Sequence, residues 1–413
     1  MPMPSDPLDT LDEIRLAVAG PWVKAHDESA DLVVLFHSGP MARNNPLLAL
    51  SPYGSLIWRE IAGGATVGRL RRAATERFGR DEVLPFLRRL ADLEFISPVP
   101  AGQESAEPER IPKDYPAPEV QHRLRHAAVP WYCLWEIATR CNLRCRICYV
   151  PDFSSFGPDR ETALAIVRQI VEAGIFYVCL LGGEPLLRRD LEEVVAALRE
   201  AHVFVKVITN GLGLDARRAE SLAKAGLNQL EVSFDGLSAG SHEASRGAGT
   251  FEPARRAVSR AWEAGIPRVG MVWTVHSENL HELPRLPERM AELGVIECYL
   301  SPFKKTGLLG AGAPFTPPTS CDLEELRRRL EEWRAELPHL TVVLPSTCSC
   351  GRTSVVLGAE GDVRLCSFSS WSVGNLHERP LKEIWRSLGE TIPEGGPLGY
   401  CAASASRGYG LES

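Results

Sequence analysis

Three cysteines stand close together in the segment TRCNLRCRICYV, where Cys141, Cys145 and Cys148 have the spacing C-x3-C-x2-C. Thiolates are soft ligands that suit iron–sulfur clusters or zinc. Three of them can hold three irons of a 4Fe–4S cluster and leave the fourth iron open to bind and activate a substrate. The alternatives are a zinc site without its fourth ligand and a chance grouping of buried cysteines. We favour the cluster because the segment directly follows an apolar strand, where the active-site loops of parallel barrels lie.

The elements that must position this segment alternate, over residues 128–305, between apolar strands and helical patterns. Four of the helices end in similar sequences, EAGI, KAGL, EAGI and ELGV, whose Gly suits a left-handed C-cap before the next strand. The six predicted strands have the sequences LWEIAT, FYVCLL, FVKVITN, LNQLEVSF, RVGMVWTV and IECYLS. Such alternation is typical of a parallel sheet, either a barrel or an open sheet.

The cysteine segment and the polar residues at the ends of these strands together resemble the radical S-adenosylmethionine (SAM) superfamily. The resemblance implies an α/β fold, a partial (β/α)6 barrel, in which the open iron of the cluster binds SAM. It also implies that strand-end backbone and Glu184, in the sequence GGEP, receive the amino group of SAM. His242, Arg246 and Gly247 resemble the H-x3-R-G stretch of peptide-modifying members.

The resemblance assigns a set of residues to SAM binding. The position before the third cysteine is commonly aromatic in this family and lies near adenine, whereas this chain has Ile147 there and Tyr149 after the cysteine. The complete set of candidate SAM contacts is Ile147, Tyr149, Gly182, Gly183, Glu184, Pro185, Asn210, Ser233, Asp235 and Arg246. Strand-end polar residues are also common turn formers, which is the alternative interpretation of Ser233 and Asp235.

A second set of cysteines, Cys348, Cys350, Cys366 and Cys401, lies in the C-terminal segment. With the Gly361-Asp362 turn and the later sequence GNLHERPLKEIW, it resembles the auxiliary-cluster domains called SPASM and twitch. The resemblance implies one auxiliary 4Fe–4S cluster, and zinc binding or free thiols are the alternatives. The remaining cysteines are interpreted as core or incidental thiols, although Cys298 is also a candidate hydrogen donor of the kind that some radical epimerases use.

Residues 1–100 predict a short sheet and three short helices, a winged-helix-like arrangement. The apolar run LVVLF at 32–36 predicts a strand, and the second helix is predicted to begin after the cap candidate Thr66 and to end at Gly79. The segment 47–79 and the following helix resemble the peptide-binding chaperone of pyrroloquinoline-quinone biosynthesis and the recognition elements of peptide-modifying enzymes. The resemblance implies that a leader peptide adds as a strand to the sheet edge, with candidate contacts in residues 31–38 and 81–93. A winged helix that only packs on the barrel, or one that binds DNA, is the alternative.

The remaining organisation follows from composition. Residues 101–126 are polar and contain four prolines, which predicts a linker between the first domain and a barrel domain at 127–305, followed by a cluster-bearing domain at 306–413. The formal net charge of −7 argues against a broad nucleic-acid surface. The longest apolar run, residues 173–183, is too short to cross a membrane. With no export signal recognised, we expect a cytoplasmic protein with no membrane and no nucleic-acid partner.

These resemblances lead to one functional hypothesis. The chain is expected to be a radical SAM maturase that modifies a ribosomally made precursor peptide, using a 5′-deoxyadenosyl radical to abstract hydrogen and an external electron donor of flavodoxin or ferredoxin type. The auxiliary cluster favours oxidative crosslinking over epimerisation. The competing hypotheses are a radical SAM enzyme that acts on a protein or small molecule, and a non-catalytic peptide chaperone with a structural cluster.

Overall fold

The computed structural model describes residues 23–29, 32–37, 47–50, 52–79, 81–92, 95–96, 126–307, 309–337, 339–345, 349–369 and 371–391. The chain divides into two compact units, Met1–Arg123 and Leu124–Ser413. Among the described helices, none is both long enough and apolar enough to cross a membrane.

The first unit consists of a small antiparallel sheet and three helices. Its elements are β1 (Val23–Ser29), β2 (Leu32–His37), β3 (Leu47–Leu50), α1 (Pro52–Ala62), α2 (Val67–Phe78) and α3 (Val83–Asp92). Leu35 and Leu50 of the sheet share one core with the apolar faces of the helices. Helix α2 begins where the Thr66 hydroxyl accepts from the amide of Arg69 and ends at Gly79, as its sequence predicts. Strand β1, VKAHDES, has too few apolar residues to have been predicted.

The position of β2 bears on where a leader strand could pair, while the predicted leader contacts in 31–38 and 81–93 stay a prediction. The sheet order is β1-β2-β3, so β2 lies in the centre and pairs with a strand on each side. A strand added to a sheet needs free backbone groups at an edge, and the described part of β2 has none. Residues 31 and 38 of the predicted contact segment lie outside the described residues. Among the described strands, β1 and β3 have edges at which a leader strand could add.

The second unit is built on one large sheet with helices against it. Its strands are β4 (Tyr132–Ala138), β5 (Tyr177–Gly182), β6 (Phe204–Thr209), β7 (Gln229–Ser233), β8 (Arg268–Val275), β9 (Glu297–Pro302), β10 (Thr341–Val343), β11 (Ser354–Leu357), β12 (Asp362–Arg364) and β13 (Ser372–Asn375). Its helices are α4 (Arg160–Glu172), α5 (Leu191–Glu200), α6 (Ala216–Lys224), α7 (Ala239–Arg246), α8 (Phe251–Glu263), α9 (Leu286–Leu293), α10 (Ser320–Glu336) and α11 (Leu381–Thr391).

The sheet confirms the parallel arrangement of the six predicted strands. Its order is β10-β9-β8-β7-β6-β5-β4-β11-β12-β13, and β4 to β9 pair in parallel register with their neighbours. At four helix–strand junctions a glycine has a positive φ, as the repeated sequences predict: Gly174, Gly226, Gly265 and Gly294. Because all six strands run the same way, their C-terminal ends and the loops after them meet at one edge.

Strands from both sides of residue 306 share this sheet. β10 pairs with β9, and β11 pairs in parallel with β4 before β12 and β13 continue the sheet in antiparallel fashion. The predicted division into a barrel domain and a separate C-terminal domain at 306 stays a prediction.

The two faces of β4 have different surroundings. Trp135 and Ile137 belong to the apolar core between sheet and helices, whereas Glu136, which lies between them in the strand, points to the opposite face. This inner face of the sheet carries polar and charged residues that the outer core does not contain.

Candidate metal and cofactor site

The cysteine segment forms a loop directly after β4, and its backbone is tied to neighbouring elements. The amide of Cys148 donates to the carbonyl of Cys145 at 3.1 Å. Arg144 donates to the carbonyl of Cys141 at 2.9 Å, and the amide of Arg146 donates to the carbonyl of Ser245 in α7 at 2.8 Å. These bonds hold all three cysteines on one compact loop at the C-terminal edge of the sheet.

The three thiols lie on one loop, and in a 4Fe–4S cluster each thiolate binds a different iron. In the described part of the chain, no three His, Cys, Asp or Glu side chains converge tightly enough to bind a single metal ion. Burial raises the pKa of all three thiols, that of Cys148 to about 11, and the charge of Arg246 acts in the opposite direction on each. Since metals bind the thiolate form, the nearby guanidinium supports the deprotonation that cluster binding requires.

The Gly-Gly-Glu-Pro segment at the end of β5 lies directly against the start of the cysteine loop. The amide of Gly183 donates to the carbonyl of Ala138 at 2.7 Å, and the amide of Glu184 donates to the carbonyl of Arg140 at 2.9 Å. A Cβ atom on Gly183 would lie 2.1 Å from the carbonyl oxygen of Arg140 and 2.4 Å from that of Thr139. Only glycine permits this approach, so the GGEP segment forms a close contact between two site loops.

The Glu184 side chain is almost completely buried and joins the end of β5 to the end of β6. Its Oε1 accepts from the Leu186 amide at 3.0 Å and from the Thr209 hydroxyl at 2.6 Å, and its Oε2 accepts from the Asn210 amide at 2.8 Å. Burial raises the pKa of Glu184, and these three hydrogen bonds lower it. A carboxylate offers about four acceptor positions, so one remains for a ligand such as an amino group.

The ends of β6 and β7 bring further predicted residues to the same place. The side-chain amide of Asn210 donates to Oδ1 of Asn142 at 2.7 Å and lies 3.8 Å from the sulfur of Cys141. Asp235 forms a buried ion pair with Arg246 at 2.5 Å. The amide of Asp235 also donates to Nδ1 of His242 at 3.4 Å.

The histidine and arginine of the H-x3-R-G stretch both contact the same residue, Asp235. His242 and Arg246 lie one turn apart on α7, and both contact Asp235. Burial, followed by the charge of Arg246, lowers the pKa of His242 to about 4, so it is neutral at physiological pH. Ser233 is buried at the end of β7, and its role toward SAM stays a prediction.

The two candidates on the cysteine loop, Ile147 and Tyr149, have different surroundings. Ile147 packs with Phe303 and Phe315 in a small apolar cluster to which Cys145 also belongs. The ring of Tyr149 instead lies edge-on to Phe368, with 5.6 Å between the ring centres. A contact of Tyr149 with SAM stays a prediction, and its proximity to the C-terminal segment was not expected from sequence.

The second cysteine set is described in part, because Cys348 and Cys401 lie outside the described residues. Cys350 forms a backbone bridge with Ser354 at the start of β11. β11 and β12 pair with Val356 opposite Arg364, and continuing this antiparallel register brings Cys366 to the level of Ser354. Both described cysteines therefore lie at the same end of this strand pair, as ligands of one cluster must.

Cys298 lies on the helix side of the sheet. It is fully buried in the apolar core with Leu300, on the face of β9 opposite to Tyr299. Burial raises the pKa of its thiol well above the usual value. A hydrogen-donor role for Cys298 stays a prediction.

The buried pair of Glu136 and Arg364 is not predicted by the sequence. Arg364 of β12 donates through Nη2 to Oε2 of Glu136 on β4, and both side chains are almost completely buried. The one signal is a glutamate within an otherwise apolar strand sequence, LWEIAT, and nothing in the sequence indicates its partner.

The fold and the site together define an iron–sulfur enzyme built on a parallel α/β barrel. The family model of the radical SAM superfamily matches residues 135–290, and the model of the SPASM iron–sulfur cluster-binding domain matches residues 348–390. A PqqA peptide cyclase of Gluconobacter oxydans is 31% identical over 276 residues, which are 62% of this chain and 76% of the relative. An Fe-coproporphyrin III synthase of Methanosarcina barkeri is 25% identical over 301 residues, covering 63% of this chain and 75% of the relative.

Two solved structures show similar folds. SuiB of Streptococcus suis, bound to the precursor peptide SuiA, has a TM-score of 0.62 at 14% identity and covers 90% of this chain and 88% of its own. The enzyme anSMEcpe, bound to AdoMet and the Cp18Cys peptide, has a TM-score of 0.52 at 18% identity and covers 66% of this chain and 86% of its own.

This chain belongs to the radical SAM superfamily and carries a SPASM domain. It is a radical SAM enzyme, and its cofactors are SAM and 4Fe–4S clusters, which confirms the predicted fold class and cofactors. The residues present fit these groups, because three thiols on one loop lie beside a buried carboxylate with a free acceptor position and beside the guanidinium of Arg246. The number of auxiliary clusters stays a prediction.

Proposed function

We propose that this enzyme is a maturase that introduces a crosslink into a ribosomally made precursor peptide. The observation that carries the proposal is the 31% identity with a PqqA peptide cyclase across three quarters of that relative. The fold likeness to SuiB, which was solved with its precursor peptide, supports it. We also propose a cytoplasmic location, since thiol-bound clusters suit a reducing compartment.

In this proposal the residues of the site have separate tasks. When bound, the cluster and SAM would supply the radical chemistry that removes a hydrogen atom from the substrate. Cys141, Cys145 and Cys148 would hold the cluster, and Glu184 would accept from the amino group of SAM while its bonds to Leu186, Thr209 and Asn210 fix it in place. The ion pair of Asp235 and Arg246 presents fixed charges near the cysteine loop. Preorganised groups of this kind lose little entropy when the ligand binds.

The first unit is proposed to bind the leader part of the precursor. Its sheet has two edge strands within the described residues, β1 and β3, where an extended peptide would gain main-chain hydrogen bonds. The similarity to SuiB covers 90% of this chain, which is more residues than the second unit contains, so it includes part of the first unit. Helix α3 offers partly buried apolar residues, among them Leu84 and Phe86, for contact with the leader.

An acidic electron carrier of flavodoxin or ferredoxin type is the proposed source of electrons. Arg140, Arg144 and Arg146 are exposed along the cysteine loop. The Arg140 guanidinium lies 4.6 Å from the ring centre of Phe156, whose side chain is 59% exposed. Leu187, three residues after Glu184, is also exposed. Positive charge around exposed apolar side chains is suited to a transient acidic partner.

Replacing Arg140 with glutamate is expected to slow cluster reduction by flavodoxin about tenfold at low salt, because charge complementarity chiefly affects association. Reduction by dithionite should stay unchanged. Arg256→Glu on the outer surface of α8 is the matched control, since it makes the same charge change away from the loop. Rates are measured by stopped-flow absorbance. Equal rates with flavodoxin for both variants would refute this docking surface.

The maturase function is tested by an anaerobic reaction of the reconstituted enzyme with reductant, SAM and the short peptide encoded beside its gene. The expected product is a peptide that has lost two hydrogen atoms, accompanied by 5′-deoxyadenosine. The same peptide without its leader should react more slowly. A peptide whose mass is unchanged in ordinary water but which takes up deuterium in heavy water would indicate epimerisation instead of crosslinking. An untouched peptide would contradict the proposal.

The similarity to an Fe-coproporphyrin III synthase supports a second candidate, modification of a porphyrin. The same reaction with a coproporphyrin in place of the peptide distinguishes the two functions. A porphyrin that changes mass while the peptide does not would favour this second candidate.

A further inference from the structure

Two buried polar atoms on the inner side of the barrel have no hydrogen-bond partner among the residues that the structure describes. They are Oε1 of Glu136 and the hydroxyl oxygen of Tyr149. Glu136 is only 2% exposed, on the inner face of β4, and Tyr149 directly follows Cys148. Buried polar groups in proteins are almost always hydrogen-bonded. Two such groups close together therefore indicate a ligand that supplies the missing partners.

The two groups contact the same C-terminal segment. Arg364, the partner of Glu136, also donates through Nη1 to the carbonyl oxygen of Ser369 at 3.3 Å, and Ser369 directly follows Phe368. Tyr149 carries a hydroxyl that can donate. Its ring is held edge-on against Phe368, and the loop after β9 packs so closely that a Cβ on Gly307 would lie 2.1 Å from the Tyr149 carbonyl oxygen.

The other oxygen of Glu136 is already occupied, which leaves Oε1 available. Oε2 accepts from Arg364, and Arg364 is held in turn by Asp362, with 2.7 Å between Nε and Oδ2. Burial raises the pKa of Glu136, while Arg364 and the nearby hydroxyl of Ser367 lower it. A buried ion pair of this kind adds little net stability, so its presence on the inner face calls for a functional explanation.

We propose that Glu136 and Tyr149 form a subsite for a backbone amide of the peptide that the enzyme modifies. The amide N–H donates to Oε1 of Glu136, and the amide carbonyl oxygen accepts from the hydroxyl of Tyr149. An amide is the group in a peptide that presents one donor and one acceptor in every residue, whatever the side chain. This inference rests on the proposed function and adds to it the place where the core of the peptide is held.

The location of the subsite agrees with that role. Tyr149 is adjacent to Cys148 in the SAM-cluster loop, and its ring partner Phe368 donates from its amide to the sulfur of Cys366 at 3.4 Å. The subsite therefore lies between the two cysteine sets. A peptide held there would have its reacting residue beside the site of hydrogen abstraction, with Glu136 and Tyr149 as positioning residues.

Tyr149→Phe and Glu136→Gln test the subsite, and Tyr299→Phe is the control because it removes the hydroxyl of another partly buried inner-face tyrosine. Binding of the peptide encoded beside the gene, without its leader, is measured by calorimetry with SAM and no reductant. We expect binding about fivefold weaker for Tyr149→Phe and about tenfold weaker for Glu136→Gln, because the latter hydrogen bond involves a charged group. Tyr299→Phe should change binding less than twofold.

A second readout separates positioning from general damage. In the full reaction, both variants should form more 5′-deoxyadenosine per modified peptide than the wild type, because hydrogen abstraction becomes uncoupled from product formation. Circular dichroism and iron content show whether each variant is folded. If Glu136→Gln does not fold, the result with Tyr149→Phe alone tests the subsite. Binding and coupling equal to those of Tyr299→Phe, in an enzyme whose wild type modifies the peptide, would overturn the subsite alone. A wild type that neither binds nor modifies a peptide would overturn the proposed function and this inference with it.

Discussion

Cys148→Ser is expected to remove the SAM-binding cluster while the protein stays folded. Its thiol is one of three ligands on a loop that backbone hydrogen bonds already hold, so the loop remains but cannot complete the cluster. Formation of 5′-deoxyadenosine should fall by more than about 100-fold, the loss found when only the supporting groups of a metal site are removed. Iron content should fall by about four atoms per chain. The measurements are iron analysis and quantification of 5′-deoxyadenosine.

Two control variants make this result specific. Cys321→Ser changes an exposed thiol on α10 and should leave both quantities unchanged. Cys366→Ser changes a described cysteine of the SPASM segment and should lower iron content while 5′-deoxyadenosine still forms. Full iron content and normal 5′-deoxyadenosine yield in Cys148→Ser would show that the loop does not hold the cluster.

Gly183→Ala is expected to have the second largest effect, because a single methyl group would displace one site loop from the other. The new Cβ would lie 2.1 Å from the carbonyl oxygen of Arg140, a backbone atom that cannot rotate away. We expect a loss of about 3 kcal/mol in the free energy of unfolding, at the upper end of the range for overpacking. A displacement of about 1 Å at a reacting site can cost about 100-fold in rate, so 5′-deoxyadenosine formation should fall by a similar factor.

Gly312→Ala is the matched control for this substitution. Gly312 lies in the short turn Gly310–Gly312, and a Cβ there would meet no atom within 4 Å. Chemical denaturation measures stability, and SAM binding is measured by calorimetry without reductant. If Gly183→Ala binds SAM and unfolds like Gly312→Ala, the close contact between the two loops is not important for the site.

The first unit shows where local sequence signals were sufficient and where they were not. The helices have capping residues and apolar spacing that act within a few residues, so α2 was predicted with both of its ends, Thr66 and Gly79. The order of the strands depends on pairing across the sheet. The apolar sequence of β2 showed a strand but not that both of its edges are paired, so it did not indicate which strands offer a free edge.

By itself, the sequence determined the chemistry of this protein and the class of its fold. Cys141, Cys145 and Cys148 identify a cluster site because ligand type and spacing are local properties, and the repeated glycine junctions predict parallel strands because helix ends and strand starts are local too. The tertiary structure alone decided which distant groups meet. Glu136 pairs with Arg364, 228 positions further along the chain, only because β11 adds beside β4 and β12 turns back along it. Such a contact depends on sheet order and register, and no pattern within either segment carries that information.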